Sequence, residues 1–165
     1  MISVPHGRAA IFAMIFGYYH AVLGLIYFAE YERPAPAAAG LLLYVVVLFL
    51  TTRFTRELRL TTAMTAFALF AAMAVPGLAI YATGEDGQYQ DPTWFVKGVC
   101  TVMAILAWRN RATMAWVGSV AMAVSVYVFG GAEALAHVGI VGGLSLVAGS
   151  QGAAMALRKA QKSSG

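Results

Sequence analysis

The sequence predicts an all-α membrane protein in which six transmembrane helices cross the bilayer and both termini lie on the cytoplasmic side. Three observations predict this fold class. Hydrophobic residues make up 61% of the chain and charged residues 11%, whereas soluble domains have about 45–50% apolar and about 25% charged residues. The apolar residues form runs that approach the roughly 20 residues needed to span a bilayer. The basic residues are concentrated in alternate loops, which is the pattern that the positive-inside rule describes.

Six apolar segments are long enough, or nearly so, to span a bilayer as helices. Helix is the only suitable structure, because backbone groups in hydrocarbon must pair within their own segment and these runs lack the alternation of barrel strands. The predicted helices cover residues 9–29, 37–52, 60–83, 93–108, 112–130 and 134–157. Residues 1–162 therefore form a single domain, and residues 163–165 are a tail or an expression remnant. The short connections predict three antiparallel hairpins.

Local features justify the helices in order along the chain. The first apolar run is longer than the roughly 7–15-residue apolar region of a signal peptide, so we expect it to remain as a helix. The second and fourth helices follow Pro36 and Pro92, where a missing backbone N–H is harmless. The third contains Pro76 followed by Gly77, which predicts a kink. Tryptophans lie at the ends of the fourth and fifth helices, as in an aromatic belt, and the sixth helix ends where the basic C-terminal residues begin.

The distribution of charge predicts the orientation. The two termini and the loops after the second and fourth helices hold nine basic residues, which are Arg8, Arg53, Arg56, Arg59, Arg109, Arg111, Arg158, Lys159 and Lys162. Their only acid is Glu57. The other side has two basic residues, Arg33 and Lys97, and its acids are Glu30, Glu32, Glu85, Asp86, Asp91 and Glu133. Because cytoplasmic loops carry the excess of Lys and Arg, the first group is predicted to be cytoplasmic. The same scatter of basic residues among apolar runs argues against a nucleic-acid partner, despite the net charge of +4.

An internal repeat is one interpretation of the hairpins. Pro36 precedes Arg53 by 17 residues, and Pro92 precedes Arg109 by the same interval. Repeated sets of helices are common in transporters. The alternative is that a sequence so rich in Ala, Val, Gly and Leu aligns with itself by chance.

Small residues at helical spacing predict close packing between helices, because lipid provides little hydrophobic drive for helix association. The candidate packing residues are Gly17, Gly24, Gly139, Gly143 and Gly149. Each face contacts either another helix of the same chain or a neighbouring subunit. We expect mainly contacts within the chain, because six helices need many of them.

Four side chains in the predicted helices are candidates for a ligand or proton pathway: His20, Lys97, Gln151 and Tyr44. An ionisable group in the membrane is costly and is a functional candidate for that reason. His20 is placed near the middle of the first helix, where it could relay a proton or pair as a neutral imidazole with a tyrosine such as Tyr44. Lys97 lies one turn inside the fourth helix and could snorkel outward or meet an anion. Gln151 could join two helices or line a polar path.

The sequence contains no motif for nucleophilic catalysis, phosphate binding or metal binding, and Cys100 is its only cysteine. We therefore expect no enzyme activity, no metal and no cofactor. The leading hypothesis is a non-enzymatic accessory subunit or a partner-binding or sensory membrane module. The alternative is a small oligomeric transporter or channel. Expected partners are the lipid bilayer and either further copies of the chain or other membrane subunits. The alanine-rich, lysine-poor composition indicates a bacterial source, and hence a multi-pass protein of the inner (plasma) membrane.

Overall fold

The computed structural model describes residues 4–53, 60–84 and 94–165, with only the backbone described for residues 4–10. These residues form six helices: α1 Val4–Ile26, α2 Pro34–Thr52, α3 Thr62–Thr83, α4 Trp94–Trp108, α5 Ala112–His137 and α6 Ile140–Ser163. A 3₁₀ turn, Tyr27–Glu30, follows α1, and no strand occurs in the described ranges. The predicted all-α class with six helices is confirmed.

Five of the six helices are long and apolar enough to cross a membrane. The exception is α4, which is apolar but has only 15 residues and so measures about 22 Å. The second helix, which is short in the sequence-based prediction, begins at Pro34 and gains enough residues to qualify.

The short helix α4 lies at the centre of the bundle and packs against all five other helices. Every residue from Trp94 to Ala107 except Lys97 is buried. Around α4, the other helices follow the order α1, α2, α3, α5 and α6, each packed against the next. The ring is incomplete, because α1 and α6 both pack on α4 but form no interface of comparable size with each other. A helix that is apolar all round is expected to be buried in this way.

The predicted end of the fifth helix at residue 130 coincides with a break in the structure, because Gly131 has non-helical backbone angles within α5. The predicted start of the sixth helix is wrong: residues 134–137 belong to the short helical segment after this break, and α6 begins at Ile140 rather than at residue 134. Two glycines with positive φ shape this region: Gly131 (φ 76°) interrupts α5, and Gly139 (φ 69°) precedes α6. Glycine adopts this conformation at little cost. At its other end α6 continues to Ser163 instead of residue 157, because lysine, arginine and glutamine are good helix formers.

The first and third helices also differ from the prediction at their ends. The backbone of α1 is helical from Val4 to Ile26, where residues 9–29 are predicted. At α3, helical geometry begins at Thr62 instead of residue 60 because Thr61 serves as the N-cap, its hydroxyl accepting a hydrogen bond from the Met64 N–H at 3.2 Å. Threonine is a favoured N-cap residue.

The turn between α4 and α5 is hydrogen-bonded to other parts of the bundle. Arg109 donates from Nη1 to the carbonyl oxygen of Thr51 at 3.0 Å, at the end of α2. Arg111 donates from Nε and Nη2 to the carbonyl oxygen of Leu60, at 3.1 and 2.8 Å. Between them Asn110 has a φ of 60°. Thr51 lies in the last turn of α2, where carbonyl groups have no partner within the helix, so Arg109 satisfies an acceptor that the helix leaves open. Arg111 binds the carbonyl oxygen of the residue before the N-cap of α3.

Several residues used in the sequence-based prediction of topology lie outside the described residues. They are the side chain of Arg8 and the residues Arg56, Glu57, Arg59, Glu85, Asp86, Asp91 and Pro92.

Candidate functional site

An aromatic cluster fixes the junction of α1, α2 and α4. The indole Nε1 of Trp94 donates to the hydroxyl of Tyr31 at 2.7 Å. The ring of Tyr44 lies 5.8 Å from that of Trp94, centroid to centroid. The Tyr44 hydroxyl donates to the carbonyl oxygen of Gly17 at 2.7 Å. Both tyrosines are buried. Because of its bond to Gly17, the hydroxyl of Tyr44 already has a hydrogen-bond partner within the chain.

Three of the predicted packing glycines contact other helices of the same chain. A Cβ added at Gly24 would lie 2.8 Å from Cδ1 of Leu41 on α2. A Cβ at Gly17 would lie closer still to the side chain of Leu48 on α2, and Gly143 of α6 lies against Cys100 of α4. These contacts leave no room for larger side chains at the α1–α2 and α4–α6 interfaces.

The predicted kink residues lie at the α3–α5 interface. α3 is continuous across Pro76. Gly77 lies against the side chains of Phe129 and Ser125. The Ser125 hydroxyl donates to the carbonyl oxygen of Met73 at 2.7 Å. Pro76 removes the donor that would pair with the carbonyl oxygen of Ala72, four residues earlier. The Ser125 hydroxyl binds the next carbonyl along the same turn, that of Met73. The kink itself stays a prediction.

His20 is almost fully buried, with 2% of its surface exposed, and it faces the bundle interior. Its Nδ1 makes a 2.8 Å hydrogen bond with the carbonyl oxygen of Phe16. A carbonyl can only accept, so Nδ1 carries the proton and Nε2 is the acceptor of the neutral ring. Within the described parts of the chain, Nε2 has no hydrogen-bond partner. The rings of Phe16 and Tyr19 pack edge-on against the imidazole.

Lys97 is the one exposed residue among the buried residues of α4. It lies where α1 and α6 leave α4 uncovered. On the α6 side, a Cβ added at Gly139 would lie 3.8 Å from Cε of Lys97. On the α1 side, Tyr44 connects this level of α4 to α1, because its ring lies against Gly98 and its hydroxyl donates to the carbonyl oxygen of Gly17. The Lys97 side chain makes no hydrogen bond or ion pair with any residue that the structure describes. His20, one turn after Gly17, and Lys97 therefore lie at a similar level on two helices that pack together.

Gln151 lies elsewhere in the bundle. Its Oε1 accepts a hydrogen bond from Nε1 of Trp116 at 2.7 Å, which joins α6 to α5. The adjacent Ser150 donates to the carbonyl oxygen of Ala104 at 2.7 Å. Ala104 is two helical turns, or about 10 Å, along α4 from Lys97. Gln151 therefore does not share a site with Lys97.

A stripe of small residues runs along the outer surface of α6, which also exposes Val141 and Met155. The sequence-based prediction identified this stripe only in part. A Cβ added at Gly142, Gly149 or Gly152 would meet no atom within 4 Å. Their exposed neighbours on this surface are Ser145, Ala153 and Ala156. We call these six residues the α6 outer face. Gly143 and Gly149 belong to the same predicted stripe, but the first packs inward and the second points outward.

The chemistry available in the bundle is limited. Cys100 is buried and lies 3.8 Å from the sulfur of Met122, between α4 and α5. Among the residues that the structure describes, no group of three or more His, Cys, Asp or Glu side chains could hold a metal ion. Within the described part of the chain, the His20–Lys97 pair and the α6 outer face are the two candidate features for engaging another molecule.

The hydrogen bond between Trp94 and Tyr31 leads to a first prediction. Burial raises the pKa of Tyr31 to about 12, although the hydrogen bond from Trp94 lowers it. Replacing Tyr31 by phenylalanine leaves the buried indole N–H unpaired, so we expect Tyr31→Phe to cost about 1–3 kcal/mol near neutral pH. An unfolded tyrosine titrates near 10, so the stability contributed by the buried neutral phenol is present below that pH and is lost as pH rises towards about 12. Unfolding midpoints in detergent should therefore converge for wild type and Tyr31→Phe between about pH 8 and about pH 11.5. A gap that stays constant over this range would contradict the prediction.

Comparison with known proteins gives a family but no characterised relative. A family model described as a domain of unknown function, DUF8320, matches residues 6–156. The search of curated proteins found no match, and neither did the search of solved structures. The matched region includes most of all six helices, and the chain therefore belongs to the DUF8320 family of unknown function.

Proposed function

We propose that the protein is a small, non-enzymatic subunit of the inner (plasma) membrane that binds a transmembrane helix of a different protein through the α6 outer face. In this proposal the six helices alternate in direction as three antiparallel hairpins, and both termini are cytoplasmic. The α6 outer face is the observation that carries the proposal.

A membrane setting is supported by the surface as well as by helix length. Large apolar side chains on α1 and α5 point outward, among them Phe12, Ile15 and Val128, each about two-thirds exposed. Soluble monomers rarely expose contiguous apolar surfaces of this kind. In a bilayer the same side chains face acyl chains at no cost. The orientation rests on the basic residues of the predicted cytoplasmic loops.

The α6 outer face is suited to a helix and poorly suited to lipid alone. Small residues allow two helix backbones to approach closely, and this contact replaces the hydrophobic drive that lipid removes. The large side chains exposed on α1 and α5 form the kind of surface that ordinary lipid contact requires. The face on α6 differs from them in having open space where side chains would be.

The charges at the end of α6 favour a different protein over a second copy. Lys159 and Lys162 are exposed beyond the apolar part of α6, Arg158 lies beside them, and α6 contains no acidic residue. Two copies in one membrane with the same orientation would bring these like charges together at one end of the interface. Like charges close together are unfavourable. A partner helix with acidic residues on its cytoplasmic side would instead be attracted.

The alternative, a small oligomeric transporter or channel, has less support. It needs a continuous polar path, and Gln151 is engaged with Trp116 at a distance from Lys97. The centre of the bundle is occupied by the buried apolar side chains of α4.

The experiment is purification from native membranes in mild detergent, with a photoreactive amino acid placed at Ala153. We expect crosslinks to an identified protein with a transmembrane helix, and at least a tenfold loss of that protein, or about 1.4 kcal/mol of binding free energy, in Gly149→Leu. Val124→Leu on the exposed side of α5 is the matched control and should retain the partner.

Three results would overturn this proposal. They are a wild-type monomer without crosslinks, equal recovery of the partner with Gly149→Leu, and a crosslinked homodimer, which would assign the α6 outer face to a second copy.

A further inference from the structure

The opening between α1 and α6 exposes a cation on the helix that is otherwise the most buried. Lys97 is exposed, whereas its neighbours Val96 and Gly98 on α4 are buried. One turn further along the same side of α4, Thr101 is 3% exposed and donates to the carbonyl oxygen of Lys97 at 2.8 Å. The opening is therefore local, and Lys97 is the polar group that it presents.

An unpaired nitrogen lies at a similar level on the neighbouring helix α1. His20 is 2% exposed, and its Nδ1 is committed to the carbonyl oxygen of Phe16. Nε2 has no partner within the part of the chain that the structure describes. Buried polar atoms in folded proteins are normally hydrogen-bonded, and leaving one unpaired costs about 1–3 kcal/mol. A cation and an unpaired acceptor on facing helices together indicate a ligand with an anionic group and an O–H donor.

The surroundings of the opening decide what else that ligand carries. On α1, Tyr19, Val22 and Ile15 are each more than half exposed. On the other side, Val141 of α6 is 80% exposed. The two helices that flank this part of α4 therefore both expose apolar side chains. A small hydrophilic anion has no favourable contact with these side chains, whereas acyl chains do.

We propose that the opening binds an anionic phospholipid with a hydroxylated headgroup. The phosphate accepts hydrogen bonds from Lys97, a headgroup hydroxyl donates to Nε2 of His20, and the acyl chains lie against α1. The proposal rests on the membrane location proposed above, and it does not depend on the α6 outer face or on its partner. Lysine is a common ligand for phosphate, and a charge-assisted hydrogen bond is stronger than a neutral one.

The test uses the full chain, extracted with detergent from the membrane fraction. Native mass spectrometry and thermal unfolding are measured with phosphatidylglycerol, with phosphatidylcholine and with inorganic phosphate. We expect bound phosphatidylglycerol and a raised unfolding temperature, with little effect of phosphatidylcholine or inorganic phosphate. Lys97→Gln should weaken phosphatidylglycerol binding at least tenfold, while Lys97→Arg retains it. Lys159→Gln, which removes an exposed lysine elsewhere, is the control for net charge.

A second comparison isolates the role of His20. Phosphatidylethanol has the charge of phosphatidylglycerol but lacks the headgroup hydroxyls, so wild type should prefer phosphatidylglycerol. His20→Phe should bind both lipids equally, because the acceptor is gone. If His20→Phe keeps the preference, the hydroxyl contact with Nε2 is wrong.

The remaining outcomes separate this proposal from the previous one. A chain found in the soluble fraction would remove the membrane location itself, which the fractionation step reveals before any lipid is added. A membrane protein for which Lys97→Gln binds phosphatidylglycerol as wild type does would overturn the lipid site alone. Equal stabilisation by inorganic phosphate would also overturn it, in favour of a soluble anion at Lys97.

Discussion

Replacing Gly98 by alanine is expected to destabilise the bundle by about 3 kcal/mol, the upper end of the usual cost of overpacking. Gly98 lies on the central helix α4, where an added Cβ would be 2.8 Å from both Cε2 and Cζ of the Tyr44 ring. Atoms at this distance repel, so one of the two helices or the ring must move. The substitution adds a single methyl group, so its effect on stability reports how closely α2 and α4 pack at this position.

The Tyr44 ring has no low-energy way to move. It is fully buried, its hydroxyl is held by the carbonyl oxygen of Gly17, and it packs against the ring of Trp94. Rotating the ring away from an alanine at position 98 would break the hydrogen bond to α1. Shifting α2 instead would disturb the packing of Leu48 on Gly17.

Gly152→Ala is the matched control for this substitution. An added Cβ there meets no atom within 4 Å, so the exchange of glycine for alanine within a helix should stabilise the protein by up to about 1 kcal/mol. Thermal unfolding in detergent micelles should therefore move in opposite directions for Gly98→Ala and Gly152→Ala. Equal unfolding temperatures for the two variants would show that α2 and α4 are not in close contact at position 98.

The central position of α4 shows what the sequence could predict and what it could not. All six helices are recognisable as apolar runs, because length and hydropathy decide whether a segment can span a bilayer. The sequence does not show which of these helices lies at the centre of the bundle. Lipid and the protein interior are similarly apolar, so a central helix and a lipid-facing helix can have the same composition. The short length of α4 can be seen in the sequence, but a short apolar segment does not by itself predict that the helix is buried.

The start of α6 could not be placed from sequence for a conformational reason. Gly131 and Gly139 both have positive φ, but the sequence does not show which glycines adopt a positive φ. The direction in which a glycine faces is also hard to predict from sequence. Gly143 packs on Cys100, whereas Gly149 faces outward. Four-residue spacing identifies a face of a helix, but the direction of that face depends on the neighbouring helices.

The candidate site was predictable residue by residue but not as a site. His20 and Lys97 stand out because ionisable groups are rare in apolar helices. Their proximity follows from the packing of α1 on α4, which no local pattern encodes. Gln151 is also a polar residue in an apolar helix, but it is hydrogen-bonded to Trp116 and does not join His20 and Lys97. The unpaired Nε2 of His20 is visible only once the partner of Nδ1 is known.

Replacing Arg111 by methionine is expected to cost about 1.5–3 kcal/mol, the range for hydrogen bonds that involve a charged group. Nε and Nη2 of Arg111 both donate to the carbonyl oxygen of Leu60, which directly precedes the N-cap residue of α3. Leu60 is 2% exposed, so water cannot easily replace the lost donors. Arg111→Lys should be intermediate, because an ammonium carries charge but cannot place two donors in the planar fork of a guanidinium.

Arg53→Met separates this structural role from the role of charge in orientation. Arg53 follows α2 in the same predicted cytoplasmic group, and its side chain is exposed and makes no hydrogen bond to a described residue. Both substitutions remove one positive charge from that group, so any effect on membrane orientation is matched. Surface substitutions of this kind usually change stability by less than about 0.5 kcal/mol. A clear loss of unfolding temperature in Arg111→Met but not in Arg53→Met would therefore reflect the lost contact with Leu60. Similar losses in both would mean that charge alone accounts for the arginines in these loops.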